Sequence, residues 1–176
     1  MRHPLAIALC LAIGAGRRSA QSGEWLLTPS RAGKIVVGMT VDALYSAYGR
    51  ENVTLVALFP EGMFTPAVQV FVPSEPGAPI AIANINQVCG QFRVTGISIV
   101  SPRLRTRDGL GVGSTVAEVR RRQPTAKLNR EEGPSLIVEK LQMTFAIADA
   151  TFADSTRVLR VWAWAPLPDS LTRCRR

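Results

Sequence analysis

The residue types that most often carry out chemistry in proteins are sparse in this sequence of 176 amino acids. The only histidine is His3, in an N-terminal segment that we expect to be removed. The remaining chain therefore cannot form a Ser/His/Asp triad, a Cys/His dyad or a histidine-ligated metal site. We predict no catalytic residues, no metal site and no cofactor, so a non-enzymatic protein is the first expectation.

Paired carboxylates are the remaining route to acid and base catalysis. Asp149 and Asp154 are the closest suggestive pair in the sequence, and they flank residues 150–153. Both lie where we expect a connection between two strands, and aspartate favours turns. A role in the turn is the main interpretation, and a carboxylate-dependent enzyme is the alternative.

Three glycines precede a predicted helix in the segment Gly109-Leu110-Gly111-Val112-Gly113-Ser114-Thr115. Such a loop can hold an anion with the free N–H groups at a helix N-terminus. The segment lacks the lysine of a Walker loop, and the short strands predicted around it do not form a βαβ unit. We therefore interpret it as a helix-capping segment and expect no nucleotide there.

Six arginines could form a basic surface around the middle of the chain. They are Arg103, Arg105, Arg107, Arg120, Arg121 and Arg122. Solvated charge is the default interpretation of this pattern. If the surface has a partner, we expect anionic lipid, polysaccharide or an acidic protein surface. Nucleic acid is not expected, because the few aromatic residues are not interleaved with these arginines.

Two tryptophans lie two residues apart in the last predicted strand. Trp162 and Trp164 should share one face of that strand, since side chains alternate along it. They could form an aromatic platform for a ligand, and packing on the sheet is the alternative. With the six arginines, they complete the candidate binding surface.

The first 20 residues read as a signal peptide. Met1-Arg2-His3 is a short basic start, and residues 4–16 are an apolar run too short to span a bilayer. We place the cut near Ala20 and expect an exported protein, periplasmic or secreted. Losing three arginines leaves 18 cationic against 13 acidic side chains, which lowers the net charge from +8 to +5. No later run is long enough for a transmembrane span.

Cysteine usage agrees with export to an oxidising compartment. Cys10 lies in the predicted signal peptide, where lipidation is an alternative that the preceding Leu9 fits poorly. Cys89 and Cys174 remain as an even pair and could close a loop around most of the folded chain. Two buried thiols, or a mobile Cys174 near the terminus, are the alternatives to that disulfide.

An internal repeat is the main signal for the fold. Residues 37–44 align without a gap with residues 112–119, at an offset of 75. Each copy has a glycine, then a threonine suited to cap a helix, then apolar residues at helical spacing. Thr115 and Glu118 also have the spacing of a capping box. The helices should stop at Gly49 and before Pro124.

Short β-rich runs follow each predicted helix. They cover residues 53–59, 67–72, 80–85 and 92–100 in the first copy, and 135–138, 141–147 and 158–165 in the second. The sequence therefore predicts an α+β fold of two tandem repeats, each a short helix followed by an antiparallel meander. The repeats span residues 33–102 and 103–166, and residues 167–176 form a basic C-terminal tail.

This arrangement resembles the small exported modules of the barrel-assembly lipoprotein and β-lactamase-inhibitor-protein superfamily. The residues that carry the resemblance are Gly38-Met39-Thr40 with Leu44 and Gly49, and Gly113-Ser114-Thr115 with Val119. It implies a binding or scaffold role in the cell envelope, with no catalytic residues. We expect an envelope protein or an anionic surface as partner. The carboxylate-dependent enzyme, acting on an envelope polymer, is the alternative.

Overall fold

The computed structural model describes residues 23–59, 62–75 and 77–174. The predicted signal peptide, with His3 and Cys10, lies outside the described residues. Within them the helices are α1 (Val41–Tyr48), α2 (Val116–Arg122) and α3 (Asp169–Thr172). The strands are β1 (Leu27–Thr28), β2 (Arg31–Ala32), β3 (Ile35–Val36), β4 (Val53–Leu58), β5 (Thr65–Val70), β6 (Ala81–Val88), β7 (Gln91–Ile99), β8 (Lys127–Asn129), β9 (Ser135–Val138), β10 (Met143–Ile147) and β11 (Val158–Ala163).

Eight strands form one antiparallel sheet in the order β4-β5-β6-β7-β11-β10-β9-β8. Strands β4 to β7 are a meander that follows α1, and β8 to β11 are a second meander that follows α2. The two meanders meet where β7 pairs with β11, through Ile97↔Ala163 and Ile99↔Val161. The predicted α+β class is confirmed.

One face of this sheet carries the hydrophobic core. A row of directly opposed residues crosses six strands, and every member is buried: Val70, Ala81, Ile99, Val161, Phe145 and Leu136. Leu44 of α1 and Val116 and Val119 of α2 belong to the same core cluster. The helices therefore cover this face, which we call the inner face, and remove its apolar side chains from water.

Both long helices begin at the predicted threonines. The Thr40 side chain accepts a hydrogen bond from Ala43 N at 3.1 Å. Thr115 accepts one from Glu118 N at 3.2 Å, while the Glu118 carboxylate accepts one from Thr115 N at 2.9 Å. These bonds satisfy N–H groups that a helix start leaves without partners, so the caps and the capping box are confirmed.

The segment before each cap pairs with a central strand in the same way. Gly38 N donates to Val94 O at 2.7 Å, and Gly113 N donates to Val158 O at 2.7 Å. Both glycines have positive φ, 91° and 86°, which glycine adopts without strain. Each glycine precedes its capping threonine by two residues, so at both places a segment bonded to a central strand leads directly into a helix.

An arginine reinforces each of these junctions. Arg93 donates to Gly38 O at 2.8 Å, and Arg157 donates to Gly113 O at 2.9 Å. Each arginine immediately precedes the valine that pairs with the corresponding glycine. These arginines are 64 residues apart, whereas the two glycines are 75 apart, so the arginines do not align at the offset of the repeat.

Several elements were missing from the sequence expectation. Strands β1 to β3 form a small antiparallel sheet of two-residue strands ahead of α1, and β8 extends the large sheet at its edge. Such short strands contain too few residues for alternation to be recognised. The other strands match the predicted runs with shifted ends; β5, for example, starts at Thr65 rather than at residue 67.

The predicted disulfide between Cys89 and Cys174 is present, with the two Cα atoms 5.2 Å apart. Cys89 lies in the tight turn between β6 and β7, and Cys174 follows α3. Residues 167–174 are therefore tied to that turn. None of the helices in the described ranges is long and apolar enough to cross a membrane.

Candidate binding surface

The face of the large sheet opposite the core has a row of side chains that are half-buried or exposed. This outer row consists of directly opposed residues, one from each of six neighbouring strands: Gln69, Ile82, Ser98, Trp162, Thr144 and Ile137. The residues that flank it on the edge strands are Thr54 and Lys127. The row thus reaches across the whole sheet, and Trp162 lies near its middle.

Trp162 is the most exposed member of the outer row, at 45% of its full accessibility. Its indole lies across β7, because a Cβ added to Gly96 would be 3.2 Å from Trp162 Nε1. A glycine inside a strand often marks such a close approach. Trp164, two residues further along, is half-buried on the same face. The predicted sharing of one face by the two tryptophans agrees with this placement.

The first of the candidate arginines, Arg103, is engaged with three neighbouring side chains. Its guanidinium carbon lies 3.7 Å from the centroid of the Trp25 ring. Its Nε is 3.4 Å from Glu75 Oε1, and it donates to Ser74 Oγ at 2.7 Å. Arg103 therefore joins the chain after β7 to the N-terminal segment and to the connection between β5 and β6.

Arg105 is hydrogen-bonded to the loop that precedes α2. Its guanidinium donates to Pro102 O at 2.7 Å and to Ser114 Oγ at 3.0 Å. Burial lowers the pKa of Arg105 below its ordinary value. A Cβ at Gly111 would be 2.5 Å from the backbone oxygen of Leu104 and 2.9 Å from Arg105 Cδ. The close backbone and the arginine together leave no room for a side chain there, which gives a structural reason for part of the glycine-rich segment.

The remaining arginines of the candidate surface differ in their accessibility. Arg120 lies 3.5 Å from the Asp154 carboxylate, whereas Arg107, Arg121 and Arg122 are exposed. A Cβ at Gly109 would be 2.8 Å from the Arg122 guanidinium, so Arg122 lies over that glycine. The arginines cluster near the start and end of α2, on a part of the molecule separate from the outer row.

The two carboxylates considered for catalysis have different partners. Asp149 accepts hydrogen bonds from Thr151 N at 2.8 Å, from the Thr151 hydroxyl, and from the Thr156 hydroxyl at 3.2 Å. These bonds lower the pKa of Asp149. Asp154 pairs with Arg120. Both carboxylates thus support the connection between β10 and β11, in agreement with the interpretation as turn residues.

A small open cavity of about 260 Å³ lies beside α1 and is lined by Trp25, Tyr48 and Phe71, among others. The Tyr48 hydroxyl accepts a hydrogen bond from Lys34 N at 3.1 Å, and burial raises the Tyr48 pKa. Small-molecule sites usually occupy about 300–1,000 Å³. Across the described ranges, no three His, Cys, Asp or Glu side chains are grouped closely enough to hold a metal ion.

A solved structure has a fold similar to that of this chain. No protein-family model matches the sequence, and no curated protein matches it significantly. The crystal structure of the uncharacterized protein yfeY from Escherichia coli is similar, with a TM-score of 0.58 and 9% sequence identity. The likeness covers 80% of this chain and 99% of that one. At this identity it concerns the fold alone.

Proposed function

We propose that this protein is an exported, non-enzymatic binding module of the cell envelope, and that the outer row around Trp162 contacts a partner protein. The observation that carries the proposal is the exposed indole near the middle of an eight-stranded sheet. Tryptophan is enriched among the residues that dominate binding at protein interfaces. A rigid sheet also holds such a side chain in place before the partner arrives.

The size of the outer face suits a protein partner. Eight strands spaced by about 4.8 Å span about 34 Å, and a six-residue strand is about 20 Å long. The face therefore measures on the order of 700 Å², close to the roughly 800 Å² that each partner contributes to a standard interface. Its polar members, Gln69, Ser98 and Thr144, can exchange hydrogen bonds with a partner around the central ring.

Charge favours a protein over an anionic surface as the partner. Arg103, Arg105 and Arg120 are engaged with neighbours in their own chain. Of the six candidate arginines, the other three are exposed and lie around α2. The outer row between Gln69 and Ile137 contains no charged residue, and Arg160, two residues before Trp162, adds one exposed cation on the same face. Contacts to an anionic surface are made by lysine and arginine, whereas this row offers an aromatic ring and neutral polar groups.

Two features support the assignment to the envelope. The N-terminal residues have the composition of a signal peptide, and the disulfide between Cys89 and Cys174 suits an oxidising compartment. We also propose that the two helix-plus-meander halves arose by duplication. The matching contacts of Gly38 with Arg93 and of Gly113 with Arg157 support this.

Photocrosslinking in the native envelope tests the proposed surface. A photoreactive amino acid is placed at Gln69 or Thr144, on either side of Trp162, and at Arg121 on α2 as a control. We expect the same envelope protein to crosslink from both outer-row positions and not from Arg121. Crosslinks from Arg121 alone would assign binding to the arginines. The absence of crosslinks from both outer-row positions would also contradict the proposal.

A further inference from the structure

Among the described residues, strand β4 lies at one edge of the large sheet and pairs with β5 on one side only. Phe71 N donates to Asn52 O at 2.8 Å, just beyond the last paired residues of the two strands. Backbone bonding alternates along an antiparallel strand, so Thr54, Val56 and Leu58 bond to β5. Val53, Leu55 and Ala57 therefore direct their N–H and C=O groups away from the sheet.

The position of proline in β5 agrees with this alternation. Pro66 lies opposite Ala57, where no N–H is needed for the pairing with β4. Three residues of β4 thus present a free row of backbone donors and acceptors. A row of this kind is a template for pairing with another strand.

The two edges of the sheet differ in how they are protected. Edge strands are commonly kept from pairing by charge, proline, a bulge or short length. At the opposite edge, β8 has only three residues, and its Lys127 pairs with Glu139 at 2.7 Å. Strand β4 has six uncharged residues without proline, and its pairing with β5 has no bulge.

Exposed apolar side chains lie beside the free edge of β4. Leu55 is 63% exposed, although it lies on the inner face of the sheet. Phe59, Met63 and Phe64 at the end of the β4–β5 hairpin are similarly exposed, and the rings of Phe59 and Phe64 meet edge to face. Contiguous exposed apolar residues of this kind mark interaction sites.

We propose that β4 pairs antiparallel with β4 of a second copy of this chain, about a two-fold axis at Leu55. In that register each residue of the strand lies opposite a residue of the same strand in the second copy. Leu55 lies opposite Leu55 of the second copy, and Val53 lies opposite its Ala57. All three outward-directed residues then form backbone pairs, giving about six hydrogen bonds between the copies. This inference is independent of the proposed function.

Side chains favour the second copy over a different partner. An uncharged strand offers nothing to select a charged partner, and it meets no like charge when it pairs with itself. The two-fold axis buries both exposed Leu55 side chains against each other. The same register brings Phe59 to the level of Glu51 in the second copy, so each apolar hairpin end lies against the other molecule.

The mass of the purified chain in solution tests the pairing. Sedimentation of the unaltered protein should show a dimer whose population rises with concentration. Leu55→Lys places two like charges directly opposite each other and should give a monomer. Leu128→Lys is the matched control, because Leu128 is a 48% exposed leucine on the other edge strand; this variant should stay dimeric. A monomeric unaltered protein, or a dimer that survives Leu55→Lys, would overturn the proposal.

A cysteine crosslink tests the register. Opposed residues of a hydrogen-bonded pair have Cα atoms about 5.5 Å apart, within the range that a disulfide tolerates. Leu55→Cys should therefore form a covalent dimer under mild oxidation. Thr54→Cys, one residue away, should not, because Thr54 lies opposite Val56 of the second copy. Equal crosslinking of the two variants would contradict the two-fold axis at Leu55.

Discussion

Removing the disulfide by Cys174→Ser should destabilise the protein without changing its fold. The bond joins residues 85 positions apart and holds the C-terminal segment against the turn between β6 and β7. Without the bond, the unfolded chain gains conformational entropy, because its loop is no longer closed. The packing of the core does not depend on the two sulfurs. The expected effect is therefore on the free energy of unfolding.

The magnitude follows from the length of the closed loop. For a separation of 85 residues, loop-closure entropy corresponds to about 4.6 kcal/mol at room temperature. Part of this is offset, because a released C-terminal segment also gains freedom in the folded state. Leu167 and Leu171, which anchor that segment, are only half-buried. We expect a net loss of about 2–4 kcal/mol, or about 4–16 °C in Tm.

Thermal unfolding followed by circular dichroism measures this loss. Cys174→Ser, Cys89→Ser and the double variant should unfold at one common, lower temperature. The unaltered protein in a reducing buffer should match them. A shift of less than about 1 °C in all three variants would refute the loop-closure reasoning, because the loop would then contribute almost nothing.

Three further predictions concern the helix starts. Thr40→Ala and Thr115→Ala should each lower stability by about 0.5–2 kcal/mol in denaturant titrations; no change in either would contradict their capping role. The hydrogen bond from the Thr115 N–H lowers the pKa of Glu118 in the folded protein. The stability that the ionised Glu118 contributes is therefore fully present above its ordinary pKa of 4.5 and is lost as the pH falls through its lowered pKa. The Tm advantage of the unaltered protein over Glu118→Gln should therefore shrink between about pH 6 and about pH 3; a constant difference would contradict this. Gly38→Ala and Gly113→Ala should each lower the free energy of unfolding by about 1–2 kcal/mol, because both glycines have positive φ. Gly38→Ala should cost more, since its Cβ would meet the C-terminal segment at 2.8 Å, whereas the nearest atom at Gly113 is 3.9 Å away. Equal losses for the two variants would argue against that contact.

Features that depend on neighbouring residues could be predicted from the sequence. A helix start is defined by a few consecutive residues, so Thr40, Thr115 and Glu118 were recognisable by type and spacing. Strand alternation likewise placed Trp162 and Trp164 on one face. The pairing of Cys89 with Cys174 was one of three alternatives, since an even count in an exported chain favours a bridge but does not show that the two sulfurs meet.

Features that depend on distant contacts could not be predicted. The pairing of β7 with β11 joins the two meanders, and nothing in either strand identifies the other as its neighbour. The roles of Arg103 and Arg105 depend on Trp25 and Ser114, which folding brings to them. One available signal was not used: a glycine within a strand indicates a close approach, and at Gly96 that approach is by Trp162.

Binding of a partner protein by the outer row around Trp162 is the core of the proposed function. The most direct test measures the affinity of the crosslinked envelope protein, once purified, for Trp162→Ala and for Phe92→Ala. Phe92 is a suitable control, since its ring is 53% exposed but lies away from the outer row. Loss of a central interface tryptophan typically costs at least about 2 kcal/mol, so Trp162→Ala should raise Kd by about 30-fold or more, and Phe92→Ala should leave it unchanged. An unchanged Kd for Trp162→Ala would show that the outer row does not bind this partner.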